Sequence, residues 1–169
     1  MITYVGIDHG SSTSPTALAI INESDDKILT IVGTYCIQPC HFVSKYVNRR
    51  VIATTLAEIL KEYQGAKINI ENPMMQGLAR ELLYALMAVI ENYIKVDRKI
   101  APSSVKKFMG HGALEKDQMA QNLLNFKFDR KGKNYIKNLI EQKRFDETDA
   151  ICIALHKLSN DEQEEVNES

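Results

Sequence analysis

The first 40 residues alternate between apolar runs and short polar breaks, as three β-strands do. Residues 2–8 (ITYVGID) are mainly apolar and β-branched up to the aspartate, which is typical of a buried central strand. A polar break at residues 10–15 precedes a second apolar run at residues 16–21, and a turn at residues 22–26 precedes a third at residues 27–36. Runs this close in sequence predict an antiparallel meander whose first hairpin has an enlarged loop.

The hydrophobic period becomes helical after residue 40. The stripe that predicts a helix over residues 41–63, ended by Gly65, consists of Val47, Val51, Leu56, Ile59 and Leu60. Residues 67–71 (KINIE) predict a fourth strand, which Pro73 stops because proline cannot donate to a ladder. A long apolar helix over residues 75–93 and a fifth strand over residues 96–100 follow.

The remaining chain predicts helices and one basic, aromatic loop. Ser103 is expected to cap a short helix that ends at residue 108, and further helices are expected over residues 113–124, 134–143 and 146–158, with the loop at residues 125–133. This order predicts an α/β domain over residues 1–158. Its mixed five-stranded sheet has three antiparallel strands followed by two parallel ones, with flanking helices. Residues 159–169 are predicted to form a disordered acidic tail.

Composition bounds the class of protein. With 169 residues the chain is expected to form one domain, and no apolar run approaches the ~20 residues that span a bilayer. The N-terminus shows no signal segment, so we expect a cytoplasmic protein without a membrane partner. Three cysteines, Cys36, Cys40 and Cys152, suit no disulfide framework, and Cys36, Cys40 and His41 lack the second ligand cluster that a zinc site needs.

The net charge of −1 conceals a strong asymmetry. Residues 95–144 contain 13 Lys and Arg against 5 acidic residues, a net charge of +8, whereas residues 159–169 contain five acidic residues and no basic one. A basic segment of this size is compatible with a polyanionic partner. Alternatively, this basic segment only forms an ordinary solvated surface.

Two acidic residues come at the ends of buried-looking strands. Asp8 ends the first strand and Glu71 ends the fourth. A strand that follows the first crossover helix tends to lie beside strand one, which would place Asp8 next to Glu71. Alternatively, Asp8 only caps a turn by accepting from the backbone of Gly10 or Ser11.

A second pair of acids begins the last predicted helix. Asp146 and Asp149 are three residues apart and therefore share one helix face, which apolar residues turn inwards. The alternative is that they only complement the helix dipole, with Asp146 as N-cap. Four converging carboxylates require cations, and hard oxygen ligands select Mg²⁺ or Mn²⁺. Two such ions about 4 Å apart suit phosphodiester hydrolysis.

Four sequence blocks, in this order, resemble RuvC-type Holliday junction resolvases. The blocks are residues 6–11 (GIDHGS), Glu71 at a strand end, residues 110–118 (GHGALEKDQ) and residues 146–150 (DETDA). The resemblance extends to about Leu158 and, given the chain length, is strongest with the compact phage-encoded branch of the family. It implies an RNase H-like fold, a homodimer, and Mg²⁺-dependent paired nicking of four-way DNA junctions in a bacterial or phage-infected cell.

The resemblance also implies roles for individual residues. It assigns metal binding, with two ions per site, to Asp8, Glu71, Asp146 and Asp149. It places Lys116 near the scissile phosphate and Lys106 on the DNA. The residues that we expect to contact DNA are Met74, Lys106, Lys107, Lys116, Arg130, Lys131 and Lys133.

The sequence departs from the family in three places. His9 replaces a proline, where it would add a ligand, shift the pH optimum or be a passive loop residue. Met74 replaces an aromatic residue that meets bases at the junction, so stacking is lost. Residues 125–145 form a longer stretch than in the cellular enzymes, and its aromatic residues either bind nucleic acid or merely pack down; they include Phe126, Phe128 and Tyr135.

Other functions remain possible from the sequence. Residues 8–12 (DHGSS) resemble the phosphate loop of actin-like sugar kinases, but 169 residues are too few for the two domains that those enzymes need. A non-catalytic junction-binding module is a second possibility, although a mere binder gains nothing from carboxylates that face phosphates. A nuclease of the same fold that acts on forks or flaps is a third.

Overall fold

The computed structural model describes residues 1–10, 14–40, 42–72, 84, 87–88, 91 and 96–156. The three predicted N-terminal strands form as an antiparallel meander: β1 (Ile2–Asp8), β2 (Thr16–Glu23) and β3 (Leu29–Ile37). The ladder of β2 and β3 shifts register between Ile20 and Ile21. Such a bulge increases the local twist of the edge strand β3.

Two parallel strands complete the five-stranded sheet, as predicted. They are β4 (Lys67–Glu71), which pairs with β1, and β5 (Arg98–Ile100), which pairs with β4. The strand order is β3-β2-β1-β4-β5, so β1 is central. Its parallel pairing with β4 brings the carboxyl ends of both strands to one edge of the sheet.

Helix α1 (Lys45–Leu60) forms within the predicted range, and its buried face was predicted in part: Leu56 and Leu60 are buried and Ile59 packs against the core. Val47 and Val51 are exposed, and the residues that α1 buries are Asn48, Arg49, Ile52, Ala53, Leu56, Ala57 and Leu60. The apolar stripe indicated the wrong residues at the start of the helix, because the first residues of the buried face, Asn48 and Arg49, are polar. A 3₁₀ turn (Lys61–Tyr63) follows, and Gly65 adopts a φ of +85° after it.

The predicted ends of the next helices also need correction. Helix α2 (Pro102–Met109) has Ala101, not Ser103, at its N-cap, because the fixed φ of Pro102 suits the first helical position. Helix α3 (Lys116–Asn122) starts later than predicted, at a capping box of Glu115 and Gln118, and a 3₁₀ turn (Leu123–Asn125) follows it.

The predicted basic loop is partly helical. Helix α4 (Arg130–Glu141) begins inside it, because the Asp129 side chain accepts a hydrogen bond from the backbone N–H of Gly132 and caps the helix. Helix α5 (Phe145–Leu155) is the last described element. Most of the predicted helix at residues 75–93 and the whole acidic tail lie outside the described residues; residues 84, 87 and 88 are helical.

The sheet is covered on both faces. Val5 and Ile7 of β1 pack in a cluster with Ile52 and Leu56 of α1. On the other face Tyr4 packs in a cluster that contains the buried residues of α5. Because side chains alternate along a strand, Asp8 lies on the α5 face. No helix in the described ranges is long and apolar enough to cross a membrane.

Candidate active site

The structure places Asp8 and Glu71 side by side, as predicted. Ile7 of β1 and Ile70 of β4 are partners in the parallel ladder. The next residues, Asp8 and Glu71, therefore end the two strands at the same edge of the sheet. The proximity of Glu71 contributes to the raised pKa of Asp8. Asp8 therefore faces a second carboxyl group, while Ser11, one of the partners of the turn-cap alternative, lies outside the described residues.

Helix α5 brings two further acids to this edge. Its packing on β1 depends on Gly6, since a Cβ atom there would lie 2.0 Å from the carbonyl oxygen of Ala150. The close approach leaves Asp146 and Asp149, in the first turns of α5, facing Asp8. Arg144, not Asp146, is the N-cap residue. One carboxylate oxygen from each of Asp8, Asp146 and Asp149 lies within 4.8 Å of the others.

The carboxylates strongly influence each other's protonation. Burial, followed by the hydrogen bond and charge of Glu71, raises the pKa of Asp8 to about 9. Burial also raises the pKa of Asp149 to about 6, although the nearby ammonium of Lys116 opposes this shift. Both shifts come first from burial, and the neighbouring carboxylates add to them, so the ionised cluster is unfavourable without a further cation.

Lys116 is the cation that contacts this cluster. Its Nζ lies 2.9 Å from Oδ2 of Asp149 and 3.3 Å from Oδ1 of Asp146. Burial opposes the charged form, but the carboxylates of Asp149 and Asp146 outweigh it and raise the pKa of Lys116. About half of the side chain remains exposed, so the ammonium faces both the acids and the solvent.

The donor set fits a hard divalent cation. Oδ1 of Asp149 is buried and has no hydrogen-bond partner in the part of the chain that the structure describes. Three clustered carboxylate oxygens match the preference of Mg²⁺ and Mn²⁺ for oxygen ligands. Among the described residues this is also the only group of His, Cys, Asp and Glu side chains close enough to bind a metal together.

Cys36 is aligned with the acids but is a poor ligand. It pairs with Ala17, which pairs with Asp8, so the three residues lie side by side across the sheet. Burial and the charges of Glu147 and Asp146 raise the pKa of its thiol. The thiol therefore stays protonated at neutral pH, and zinc binding through it is disfavoured.

The other predicted DNA-contacting cations lie on two helices and make no described contact with the acids. Lys106 and Lys107 lie in the last turn of α2, and the exposed residues Arg130, Lys131 and Lys133 lie in the first turns of α4. No described contact joins any of these five to the acids. Met74 lies outside the described residues.

The aromatic residues of the longer stretch mainly pack inwards. Phe128 is 5% exposed and belongs to the core, and Phe126 packs against it. Tyr135 is half-buried, and its hydroxyl lies 2.7 Å from Oγ1 of Thr34 in β3. Only Tyr135 of the three therefore adjoins an open cleft, which it lines together with Lys131.

The sequence pattern did not reveal Arg49. This buried residue of α1 donates from Nη2 to the carbonyl oxygen of Gly10 at 2.5 Å, and Nη1 lies 3.4 Å from Oγ1 of Thr16. His9 contacts the same carbonyl through Nδ1 at 3.1 Å. His9 is therefore held with Arg49 and does not join the acid cluster. In the sequence, the signal available for Arg49 was a polar residue on a mostly apolar helix face.

A second unpredicted feature is the ion pair between Arg144 and Glu147. Nε and Nη2 of Arg144 donate to Oε1 of Glu147 at 2.8 and 2.5 Å. Opposite charges three residues apart, next to Asp146, were the available signal.

No protein-family model and no curated protein matches the sequence. Solved structures do match the fold. RuvC of T. thermophilus in complex with a Holliday junction substrate has a TM-score of 0.65 at 16% identity, over 92% of each chain. The fold is that of RuvC.

Two further resolvases have this fold. The yeast mitochondrial Holliday junction resolvase Ydc2 has a TM-score of 0.60 at 17% identity, covering 90% of this chain and 75% of its own. Fowlpox virus resolvase, solved with junction DNA, has a TM-score of 0.59 at 15% identity, covering 94% and 98%. The predicted RNase H-like fold class is confirmed. At these identities the likeness concerns the fold, and the phage branch stays a prediction.

Proposed function

We propose that the protein is a metal-dependent endonuclease that resolves four-way DNA junctions by paired nicks. One observation carries the proposal: three carboxylates and Lys116 meet where β1 and α5 approach in a RuvC fold. RuvC and the fowlpox resolvase were both solved with junction DNA, which supports the same class of substrate here. Neither a sugar kinase nor a turn cap would require this cluster.

The metal would be held by Asp8, Glu71, Asp146 and Asp149. Two Mg²⁺ ions, or Mn²⁺ in their place, would supply an activated water and stabilise the leaving 3′ oxygen. Glu71 contacts Asp8 but is not one of the three mutually close carboxylates. Asp8 lies between Glu71 on one side and Asp146 and Asp149 on the other, so these four residues together would hold the metal.

Lys116 would act on the phosphate directly. Its ammonium stays charged, adjoins two of the acids and remains half-exposed, so it can donate to a non-bridging phosphate oxygen. A fixed positive charge there stabilises the negative charge that develops in the transition state. Lys106 and Lys107 of α2 and Arg130, Lys131 and Lys133 of α4 would bind the phosphates farther along the junction arms.

Paired nicks require two active sites. A symmetric homodimer would supply them, with one site for each of two opposing strands. Most of the long helix predicted at residues 75–93, which is apolar enough either to be deeply buried or to form part of the dimer contact, lies outside the described residues.

The proposal is tested by cleavage of an end-labelled four-way junction, beside a duplex and a fork of the same sequences. Wild type and Asp8→Asn are compared in Mg²⁺ and in EDTA. We expect symmetric nicks in the junction alone, which both EDTA and Asp8→Asn abolish. Tight junction binding without any cutting would instead identify a non-catalytic binding module.

Equal cutting of the fork and the junction would identify a broader branched-DNA nuclease. The replacement of the family's aromatic residue by Met74 favours this second candidate, because a methionine cannot stack on a base as an aromatic ring does. The metal mechanism would be unchanged, and only the substrate range would be wider.

A further inference from the structure

The ion pair of Arg144 and Glu147 lies beside the acids but takes no part in the proposed metal chemistry. Glu147 is 3% exposed, and Arg144 is exposed at the surface. Two donors of the guanidinium, Nε and Nη2, bind Oε1 of Glu147. Nη1 has no hydrogen-bond partner among the described residues, and it belongs to the part of Arg144 that solvent can reach.

Glu147 is a costly residue at this position. Burying a carboxylate is unfavourable, and replacing a buried ion pair by apolar residues is often neutral or stabilising. Here the carboxylate also adds a fifth negative charge beside a cluster that already repels itself. The charges of Glu147, Asp146 and Asp8 all act on Cys36, which shows that they surround the same end of β3. The benefit of Glu147 is that it fixes the orientation of a cation at this position.

An open cleft lies between β3 and α4, and its lining includes Thr34, Tyr35, Lys131 and Tyr135. Two contacts give its direction: Oγ1 of Thr30 donates to Oδ2 of Asp129 just before α4, and Oγ1 of Thr34 lies 2.7 Å from the hydroxyl of Tyr135 farther along both elements. Cys36, which is aligned with Asp8 across the sheet, comes next on β3, so the cleft leads along β3 toward the acids. Arg144 does not line the cleft; it follows α4, at the N-cap of α5, and the charges of Tyr135 and Cys36 act on it.

Gly33 leaves room along the edge of the cleft. It lies in the edge strand β3, which pairs only with β2 among the described strands, and a Cβ atom there would lie no closer than 3.6 Å to its neighbours. Phosphates need cations at intervals, and bases stack on aromatic rings. The lining supplies Lys131 and the rings of Tyr35 and Tyr135 but no carboxylate, so it matches a single nucleic-acid strand.

We propose that the cleft between β3 and α4 binds one strand of the nucleic-acid substrate, and that Arg144, positioned by Glu147, binds the phosphate nearest to the catalytic acids. The inference rests on the proposed nuclease function. Arg144 is then a substrate-binding residue on the β3 side of the acids. Lys116 contacts the acids from α3. A strand that leaves the acids along β3 passes Arg144, then Tyr135, then Lys131.

The test measures binding of a four-way junction at several salt concentrations by proteins that carry Asp8→Asn, so that cleavage does not interfere. The decisive variant combines Arg144→Gln with Glu147→Gln, because removal of Arg144 alone would leave a buried carboxylate unpaired. Lys137→Gln is the matched control, since Lys137 lies on α4 in a different depression, with Asn134 and Glu141. Thermal melting establishes that each variant is folded.

We expect the double variant to bind the junction about three- to tenfold more weakly than the control at moderate salt. Its plot of log K against log salt should be less steep by about 0.9, the value for one lost phosphate contact. Arg144→Lys should keep that slope but lower kcat in the cleaving enzyme, because one ammonium cannot reproduce the orientation of the guanidinium.

Equal affinity and equal slope for the double variant and the control would overturn the inference and leave the ion pair a structural role only. The proposed function is judged separately, on wild type. If wild type cuts the junction while the double variant binds normally, only the cleft is refuted. If the Asp8→Asn protein binds no junction and wild type cuts none, both are refuted.

Discussion

A carboxyl group that is buried against a second carboxyl group destabilises a fold unless a cation compensates it. Asp8 is in this position, between Glu71 on β4 and the acids of α5. Its pKa of about 9 means that, without a cation, the folded protein holds a proton that the unfolded chain releases near pH 4. Stability of the cation-free protein should therefore fall as pH rises from about 4 towards 9.

Asp8→Asn separates stability from function. In EDTA at pH 8 the variant should be more stable than wild type by about 1 kcal/mol, since the amide cannot ionise. The difference should shrink at pH 5, which is close to the pKa of Asp8 in the unfolded chain, so that unfolding gains less from release of the proton. Cleavage should fall at least about 100-fold. Thermal melts at both pH values measure the first effect, and a variant less stable than wild type at pH 8 would contradict the account.

Lys116→Met tests the assignment of a phosphate-binding charge. Removal of one fixed charge aimed at a developing oxyanion lowers kcat by about 100- to 1000-fold. Metal binding should persist, because the carboxylates remain. Lys61→Met is the control, because Lys61 also forms an ion pair: its Nζ lies 2.6 Å from Oε1 of Glu58, at the end of α1. Loss of metal binding in Lys116→Met, measured by calorimetry, would show that Lys116 only supports the acids.

At the residue scale the placement of the acids at the ends of two strands and the start of a helix was predictable, and two buried charged residues, Arg49 and Glu147, were not. Asp8 and Glu71 stood out because each ends an apolar strand, where a charge needs a reason. Arg49 did not stand out, because only the folded structure shows that it reaches the Gly10 carbonyl from α1. The same holds for Glu147, whose burial depends on how α5 lies against β3.

The elements of the sheet followed closely from the sequence pattern. The three meander strands and β4 formed within a few residues of their predicted bounds, because period-2 runs and turn residues both specify them. Helix faces and ends were predicted less well. The buried face of α1 includes Asn48 and Arg49, whose burial depends on partners in other elements. Helix α4 begins early because a single cap residue, Asp129, outweighs a run of basic residues.

The contact of β1 with α5 is the element that assembles the site. Gly6→Ala should place a Cβ atom 2.0 Å from the Ala150 carbonyl oxygen and 2.4 Å from the Ala154 nitrogen, so α5 must move and carry Asp146 and Asp149 with it. We expect a loss of about 3 kcal/mol or more in stability. Gly112→Ala is the control for folding, because its nearest neighbour, Cγ of Lys107, lies 3.8 Å away. Urea unfolding of both variants tests this, and equal stability would contradict the role of Gly6.

For the whole molecule, the cation should act as a stabilising ligand. Mg²⁺ at about 100 times its Kd should stabilise wild type by about 3 kcal/mol, because only the folded chain brings Asp8, Asp146 and Asp149 together. Asp149→Asn should lose most of this effect. Melting temperatures over a Mg²⁺ titration, with Ca²⁺ as a second hard cation, measure it. An equal shift in wild type and Asp149→Asn would mean that the ion binds elsewhere.

The basic residues of the sequence are spread over several elements. Of the 13 cations of residues 95–144, two lie on α2 and four on α4. Sequence alone could not fix this placement, because it depends on how both helices pack on the sheet. The acidic tail lies outside the described residues.

The central claim is that two of these metal-dependent sites cut a four-way junction together. A supercoiled plasmid that extrudes a cruciform tests it most directly, because paired nicks yield a linear plasmid and single nicks yield an open circle. We predict linear product in Mg²⁺, none in EDTA, and none with Asp8→Asn. Open circles without linear product would contradict paired cutting, and an intact plasmid bound by the protein in Mg²⁺ would contradict the nuclease itself.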